Sequence, residues 1–269
     1  MAPSGSSSSA QERREAQREE LRRQRQAELR RQKRIRTGVI SVITVVALVV
    51  VFGIGYWIYQ STRPAGPVTA PTGMAADASS YEIGARKDKP VVDLYLDYMC
   101  PVCGQFHQIN GDDLDSMIQN DEITLHVHTR TFLDGNSSTG DYSTRAANAA
   151  ACVWDDDPEN FWAFSDLLFD NQPAEGSAGL TNAQLTDYAT QAGASDTVGQ
   201  CITDKTHASW LHEVVEGEAK KTDTNGTPYV LIDGTPFTDW STPGSLASAV
   251  AAAGGSSASD AGGASDGGS

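Results

Sequence analysis

The 269-residue sequence predicts a small α/β domain with an inserted helical block, preceded by one transmembrane helix. Three observations carry this prediction. An uncharged stretch at 37–59 separates a basic N-terminal tail from an acidic remainder. Strand-like runs at 89–97, 122–130 and 229–237 flank a segment at 141–221 that has helical patterning. All four cysteines follow the uncharged stretch, and two of them form a Cys-x-x-Cys pair directly after the first strand-like run.

The charge distribution indicates how the chain is oriented in a membrane. Residues 1–36 hold eleven Lys and Arg against five Glu, a charge of +6, so the remainder carries −21 toward the total of −15. An acidic main body repels a phosphate backbone, which argues against nucleic-acid binding. A helix over 37–59 is about 34 Å long, enough to cross a bilayer core of about 30 Å. Because basic flanks stay on the cytoplasmic side, we expect a cytoplasmic N-terminus and an extracytoplasmic C-terminal domain.

A cleaved signal peptide is the alternative to this anchor, since signal peptides also combine a basic start with an apolar stretch. Their apolar part has about 7 to 15 residues, and here the stretch is longer and follows a 36-residue polar tail. We therefore expect an uncleaved, single-pass protein of the cell membrane. The segment 60–80, which contains several Pro, Ala and Ser, predicts a flexible linker. The segment 253–269 contains only Ala, Gly, Ser and Asp, which predicts a disordered tail.

The predicted outer domain spans 81–252, an ordinary size for one domain. Its first strand-like run leads into a candidate helix at 103–119. The helical block contains four candidate helices, at 146–154, 158–169, 181–192 and 208–220. The motif Thr181-Asn-Ala-Gln184 fits a capping box at the start of the third. Asp233-Gly234 predicts a hairpin turn, and 242–252 predicts a closing helix.

The pair Cys100 and Cys103 forms the motif Cys-Pro-Val-Cys at a strand-to-helix turn. This spacing closes a loop too short to constrain the unfolded chain, so the pattern indicates chemistry rather than a structural crosslink. At a helix N-terminus, unpaired N–H groups and the helix dipole favour a thiolate on Cys100. Such a thiol is a nucleophile when reduced and a good leaving group when its disulfide is attacked. Cys103, one turn further on, is expected to be shielded and able to resolve a mixed disulfide.

The other two cysteines, Cys152 and Cys201, lie 49 positions apart within the helical block. In an oxidising compartment this placement predicts a structural disulfide, which the chain-entropy model values at about 4 kcal/mol. The alternative is a pair of buried free thiols.

Zinc binding is a further alternative for the Cys-x-x-Cys pair, because His107, His126 and His128 also offer zinc-ligand types. The spacing matches no closed zinc-finger pattern, and the strand-to-helix position favours redox chemistry. We therefore expect no metal and no cofactor. His126 and His128 share one face of a strand, and a solvated or edge face is the expected explanation for them.

Two separated motifs resemble those of the DsbA-like branch of the thioredoxin fold. These are Asp97-Tyr-Met-Cys-Pro-Val-Cys103 and, ahead of the last strands, Gly226-Thr-Pro228. The resemblance covers about 90–252 and includes the place where the family carries its helical insertion. It implies a thioredoxin-like fold with an inserted helical subdomain, here in a membrane-anchored bacterial form.

The resemblance also implies roles for individual residues. Cys100 would attack, or be attacked by, the substrate, and Cys103 would resolve the mixed disulfide. Pro228 would take the cis form and face the pair, and Thr227 would present backbone groups to an extended substrate by strand addition. Without the cysteine motif, an ordinary trans Pro at the start of a strand is the simpler interpretation of Pro228.

The residues expected to tune the redox properties are Pro101 and Val102 within the motif and Asp97 before it. Family members with a buried acid place it six residues before the first cysteine, where this chain has Leu94. Asp97, three residues before Cys100, is therefore the candidate for local tuning.

These observations predict an extracytoplasmic thiol-disulfide oxidoreductase that oxidises the cysteines of secreted or cell-surface proteins. By analogy with the family, reoxidation requires a membrane partner, possibly a quinone-linked enzyme. The same residues allow the reverse direction, so a reductase or isomerase is the first alternative. A non-catalytic anchored module that binds a protein partner is the second.

Overall fold

A computed structural model of the chain describes residue 50 and residues 67–84, 88–222, 224 and 226–260. Apart from residue 50, these residues belong to one compact unit. The fold described below is therefore that of the predicted outer domain.

The predicted cytoplasmic tail 1–36 and membrane segment 37–59 lie outside the described residues, apart from Val50. Within the described ranges, no helix combines the length and the apolar character that a membrane crossing requires. The anchor therefore stays a prediction.

The described residues form a five-stranded sheet with the order β1-β3-β2-β4-β5. Its strands are β1 Tyr81–Ile83, β2 Val91–Leu96, β3 Thr124–Thr129, β4 Tyr229–Ile232 and β5 Thr235–Phe237. Strands β2 and β3 are parallel, and the other neighbours are antiparallel. On the central strand, Leu94 lies opposite Val127 and Val230, and all three side chains are buried. The core therefore surrounds β2, whose C-terminal end leads to the cysteine motif.

The helices of the described part cover the sheet and form the predicted insertion. In chain order they are α1 Pro101–Gln119, α2 Tyr142–Asp156, α3 Phe161–Asp170, α4 Asn182–Gln191, α5 Val198–Asp204, α6 Ala208–Trp210, α7 Glu216–Lys221 and α8 Ser245–Asp260. Short 3-10 turns at Asp134–Asn136 and Pro158–Asn160 precede α2 and α3, and a π-helical stretch Leu211–Val215 joins α6 to α7. Helix α1 packs against α3 and α8, while α2 packs against α3, α4 and α5.

Two local predictions are confirmed in detail. The capping box at α4 is present, because Thr181 Oγ1 accepts from the Gln184 amide at 3.2 Å and Gln184 Oε1 accepts from the Thr181 amide at 3.0 Å. The turn between β4 and β5 places Asp233 at φ 49° and Gly234 at φ 76°. Two successive left-handed residues are what a tight two-residue hairpin requires. Strand β1 and helix α5 were not predicted.

The linker prediction for 60–80 is wrong for residues 67–80, whose backbone carbonyls are bound by side chains near α6. Thr69 O accepts from His207 Nδ1 at 2.9 Å, Pro67 O from Ser209 Oγ at 2.9 Å, and Ala78 O from Trp210 Nε1 at 3.0 Å. The composition of this segment disfavours regular structure but leaves its carbonyls free to accept such bonds. Residues 67–80 are therefore part of the domain.

The predicted disordered tail 253–269 is wrong for 253–260, because α8 continues to Asp260. Alanine has the highest helix propensity and accounts for the helix through Ala253, whereas residues 254–260 are mostly Gly and Ser, so propensity does not explain their helical structure. Gly254 also lies close to the domain, since a Cβ there would be 3.4 Å from Pro90 Cγ. Residues 261–269 lie outside the described residues.

The expectation of a solvated or edge face for His126 and His128 is wrong, because β3 lies between β1 and β2. His128 is buried and stacks on Tyr95 with a centroid distance of 3.9 Å. Asp93 Oδ1 lies 3.1 Å from His126 Nδ1 and 3.4 Å from His128 Nε2. Although burial opposes it, these two histidines hold the pKa of Asp93 well below its usual range. The histidine pair is thus accounted for by a shared carboxylate.

Candidate active site

The cysteine motif lies where β2 ends and α1 begins. Cys100 is the N-cap residue of α1, and Pro101 occupies the first helical position, where its missing N–H has no intrahelical partner to lose. Cys103 lies one turn further into the helix. Both cysteines are free thiols, 6% and 1% exposed respectively. The structure therefore presents the site as a dithiol.

The sulfur of Cys100 is surrounded by groups that stabilise its thiolate. The largest effect is its hydrogen bond with the Cys103 thiol; Thr227 and the amides of Cys103 and Val102 add to it. Although burial opposes them, these interactions lower the pKa of Cys100 to about 6. When protonated, the Cys100 thiol donates to Thr227 O at 3.3 Å, a contact that only the neutral form makes and that the stabilising interactions outweigh. At neutral pH, Cys100 is therefore mostly a thiolate.

Cys103 has the opposite properties. Burial raises the pKa of its thiol well above the usual value, and the neighbouring Cys100 raises it further. The side chain borders a small, mostly apolar cavity that is also lined by His107 and by Leu94, Leu96, Phe106, Leu114, Trp162 and Phe169. Cys103 thus keeps its proton and donates a hydrogen bond to the Cys100 sulfur, which gives the pair one readily ionised thiol and one protonated, more deeply buried partner.

This asymmetry predicts the pH dependence of alkylation. Because only the thiolate reacts, the iodoacetamide rate at Cys100 should rise with pH, reach half its plateau near pH 6 and be level by pH 8. Mass spectrometry of the native protein should find Cys103 unmodified. In the Cys103→Ala variant the midpoint should move upward, because the strongest stabilising contact is lost. A midpoint near the ordinary cysteine value of about 8.5 in the native protein would contradict the prediction.

The carboxyl group of Asp97 lies at the base of the same turn and is fully buried. Its Oδ1 accepts from the Met99 amide at 2.8 Å and from Ser143 Oγ at 2.7 Å, and its Oδ2 accepts from the Leu133 amide at 2.9 Å. Burial raises the pKa of Asp97 to about 6, although the hydrogen bonds oppose this. The Cys100 thiolate also raises it, so the two groups interact electrostatically.

The Thr227–Pro228 peptide bond is cis, and it lies directly before β4. The hydroxyl of Thr227 is buried and faces the two cysteine thiols, where it favours their ionised forms. The preceding loop is held by Arg130, whose Nη1 donates to Thr224 O at 3.2 Å. The structure therefore brings Thr227 and Pro228 to Cys100 across the end of the sheet.

A residue that sequence reasoning missed connects the helical insertion to this turn. Gln172 Nε2 donates to Cys100 O at 2.8 Å and to Tyr98 O at 3.1 Å. This approach of the Gln172 amide to Cys100 O requires glycine at position 104, since a Cβ there would overlap with Gln172 Oε1. A glycine inside the first turn of a helix could have indicated a close contact at this position. It does not identify Gln172 as the partner.

We expect Gln172→Ala to destabilise the protein by about 1–3 kcal/mol, because it leaves Tyr98 O without its donor and removes one of the two donors to Cys100 O. It should also shift the pH midpoint of Cys100 alkylation, since the turn loses its support. Urea unfolding and the alkylation profile measure these two effects. Asn171→Ala is the matched control, because this exposed neighbour binds Leu167 O within its own helix end, at 2.9 Å. Equal effects of the two substitutions would contradict the prediction.

The remaining predicted residues lie elsewhere. A disulfide joins Cys152 to Cys201, with an S–S distance of 1.98 Å, and connects α2 to α5. His107 lies 3.7 Å from both Asp166 and Asp170, whereas His126 and His128 share Asp93. The structure therefore does not bring these three histidines together around the active-site cysteines.

Comparison with known proteins identifies the family. The sequence model of the family described as Thioredoxin matches residues 77–252. The chain belongs to the thioredoxin family. This thioredoxin domain is similar to the crystal structure of oxidised DsbA from Mycobacterium tuberculosis, with a TM-score of 0.57 and 30% identity over 65% of this chain and 93% of that one. The DsbA-like assignment within the family, and with it the class of protein thiol-disulfide oxidoreductases, is confirmed.

Two curated relatives extend the comparison. The chain is 29% identical over 215 residues to the serine/threonine-protein kinase PknE of Mycobacterium tuberculosis, which covers 72% of this chain and 37% of the kinase. It is 28% identical over 151 residues to disulfide bond formation protein D of Bacillus subtilis, which covers 55% of this chain and 65% of that protein. The chain therefore spans little more than a third of the kinase it matches.

Proposed function

We propose that this thioredoxin-family protein is a membrane-anchored, extracytoplasmic oxidase that introduces disulfides into other proteins through Cys100 and Cys103. The observation that carries the proposal is the set of contacts that lowers the pKa of Cys100 to about 6. A stabilised thiolate favours the reduced enzyme over its disulfide. An enzyme whose reduced form is stabilised is a strong oxidant toward substrate thiols.

The proposed reaction starts from the Cys100–Cys103 disulfide. A substrate thiolate attacks Cys100 Sγ, the S–S bond breaks, and Cys103 leaves and takes up a proton. A second substrate thiolate then attacks the substrate sulfur of the mixed disulfide and releases the Cys100 thiolate. The substrate loses two electrons and gains a disulfide, while the enzyme becomes the dithiol. The lowered pKa of Cys100 assists the second step because it makes Cys100 the better leaving group.

The neighbouring residues have supporting roles in this proposal. Thr227 and Pro228 bind the substrate backbone beside Cys100, next to the first residue of β4. Asp97 tunes the pair through its charge, and its pKa of about 6 allows it to exchange a proton near neutral pH. Pro101 and Val102 tune the pair by shaping the first turn of α1, where Val102 is exposed.

The substrates in this proposal are secreted or cell-surface proteins with reduced cysteines. Each turnover leaves a dithiol, so a reoxidation partner is required, and a quinone-linked membrane enzyme would supply it. The anchor at 37–59 would keep the domain at the extracytoplasmic surface of the cell membrane, where such a partner is within reach.

The reduction potential of the Cys100–Cys103 pair tests the direction of the reaction. Equilibration with glutathione buffers should give a value near the −120 mV of DsbA, whereas about −270 mV, as for thioredoxin, would assign a reductase. The Cys152→Ser/Cys201→Ser variant should give the same value, because that disulfide lies outside the site.

External protease tests the topology separately. Digestion of sealed, intact cells should remove the domain at 81–252 while a cytoplasmic marker survives. A domain that resists digestion in intact cells but not in lysed cells would overturn the proposed location.

A further inference from the structure

A second group of metal-ligating side chains lies at the disulfide of the helical insertion. Cys152, Cys201 and His207 each offer one ligand atom, and these atoms all lie within 4.8 Å of one another. Among the described residues, no other group of three or more His, Cys, Asp or Glu meets this condition. Cys152 and His207 are buried, and both cysteines border an open surface pocket that Asp155 and Asp156 also line.

The imidazole of His207 is oriented for a cation at Nε2. Its Nδ1 lies 2.9 Å from Thr69 O, and a carbonyl can only accept, so Nδ1 carries the hydrogen. Nε2 is buried without a hydrogen-bond partner in the described part of the chain, yet Asp155 Oδ2 lies 3.0 Å from it. The lone pair of His207 Nε2 and the carboxylate oxygen of Asp155 repel each other at this distance unless a positive charge lies between them. That charge is a proton or a metal ion.

The surroundings fix these groups in place. Asn148 Nδ2 donates to Cys152 Sγ at 3.6 Å, and Asn148 Oδ1 accepts from the His207 amide at 2.8 Å. The other oxygen of Asp155 accepts from the Thr72 amide. Metal-binding histidines generally donate their second ring N–H to a carbonyl or carboxylate, and Thr69 O provides that acceptor here.

We propose that the reduced Cys152–Cys201 pair binds one Zn²⁺ together with His207 Nε2, and that Asp155, which lies outside this group of three but 3.0 Å from Nε2, moves toward the metal as the fourth ligand. Two thiolates, an imidazole and a carboxylate are ligands that zinc accepts in tetrahedral sites. A dithiol reductant delivers two electrons and two protons to the disulfide and is itself oxidised to a disulfide. Zn²⁺ then displaces the two thiol protons. Zinc and the disulfide exclude each other, because the sulfurs are either bonded together or free to bind metal.

Zinc in this site would replace the disulfide as the connection between α2 and α5. It would also connect both helices to His207, the residue that precedes α6. The reduced chain would therefore keep the helical insertion packed before the disulfide forms or after it is broken. This role is separate from the reaction at Cys100 and does not depend on the direction of that reaction.

The test uses the full chain with Cys100→Ser and Cys103→Ser, so that the active-site dithiol cannot bind zinc. Oxidised protein and protein reduced with a phosphine are each incubated with Zn²⁺, passed over a gel-filtration column and assayed for metal. We expect one zinc per reduced chain and none per oxidised chain. Zinc should also raise the Tm of the reduced form only, with the native near-ultraviolet circular dichroism retained.

Variants in this background locate the metal. Cys201→Ser and Asp155→Asn should each weaken zinc binding by at least about tenfold in competition with a chromophoric chelator. Asp156→Asn is the matched control, because Asp156 lines the same pocket but binds Ser195 at 2.8 Å. Its affinity should stay within about twofold. Equal zinc in both redox forms, no zinc in the reduced form, full affinity in Cys201→Ser, or zinc bound without the native signal would overturn the proposal.

Discussion

Replacing Cys100 with Ser is expected to reduce disulfide exchange to the uncatalysed rate. The hydroxyl of serine does not ionise at neutral pH, so the stabilising contacts around position 100 have no thiolate to act on. The assay follows oxidation of a reduced, unfolded substrate protein by the pre-oxidised enzyme. Cys201→Ser in the second disulfide is the control, and it should retain most of the activity. Substantial turnover by Cys100→Ser would assign the chemistry to another residue.

Cys103→Ala should have a different effect on the same reaction. The Cys100 thiolate remains able to attack a disulfide, but no second thiol is present to resolve the product. Mixed disulfides between Cys100 and substrates should therefore accumulate and appear on non-reducing gels. The double variant Cys100→Ser/Cys103→Ala should show none. If cells that express Cys103→Ala form no such complexes, the protein is a binding module rather than an enzyme.

The cysteine motif and the hairpin turn could be predicted because short-range rules determine them. A thiol at a helix start, a capping box and an Asp-Gly turn each depend on residues within four positions of one another. The sheet order depends on pairing between distant segments, yet the apolar runs and the family resemblance placed most of its strands. The pattern did not identify β1, because three residues are too few to show alternation.

The support around the cysteines could not be predicted, because it comes from segments far away in the sequence. Gln172 reaches Cys100 O across 72 positions, and the Leu133 amide reaches Asp97 across 36. Neither a glutamine nor a leucine in the sequence predicts such a bond. Burial of His128 was missed for the same reason, since its partner Asp93 lies on the neighbouring strand and two histidines on one face of a strand suggested a solvated or edge face.

The buried ion pair between Arg130 and Glu216 was also missed, and it connects the sheet to α7. Arg130 Nε and Nη2 donate to the two carboxylate oxygens at 2.9 Å each, and the Thr131 amide donates to Glu216 Oε1 at 2.7 Å. The side chains are 4% and 12% exposed. Arg130 also holds Thr224 O, three residues before Thr227. Stability and active-site geometry therefore depend on the same guanidinium.

Glu216→Gln should destabilise the domain by about 3–5 kcal/mol, because it leaves the buried guanidinium without its counter-charge. Urea unfolding at pH 7 measures the loss. Glu218→Gln on the same helix is the matched control: Glu218 pairs with the exposed Lys221 at 3.4 Å, and such surface pairs contribute at most about 1 kcal/mol. A loss below about 1 kcal/mol in Glu216→Gln would contradict the argument.

The pH dependence of stability provides an independent check on the same pair. Although burial opposes it, Arg130 and the Thr131 amide lower the pKa of Glu216 below its usual value. A carboxyl whose pKa is lower in the folded state stabilises the fold above the unfolded pKa of about 4.3, and this contribution is lost as the pH falls. Stability of Glu216→Gln should therefore fall less steeply below pH 4.3 than that of the natural sequence.

Because the same substitution frees the guanidinium that holds Thr224 O, it should also raise the pH midpoint of Cys100 alkylation, and Glu218→Gln should leave that midpoint unchanged.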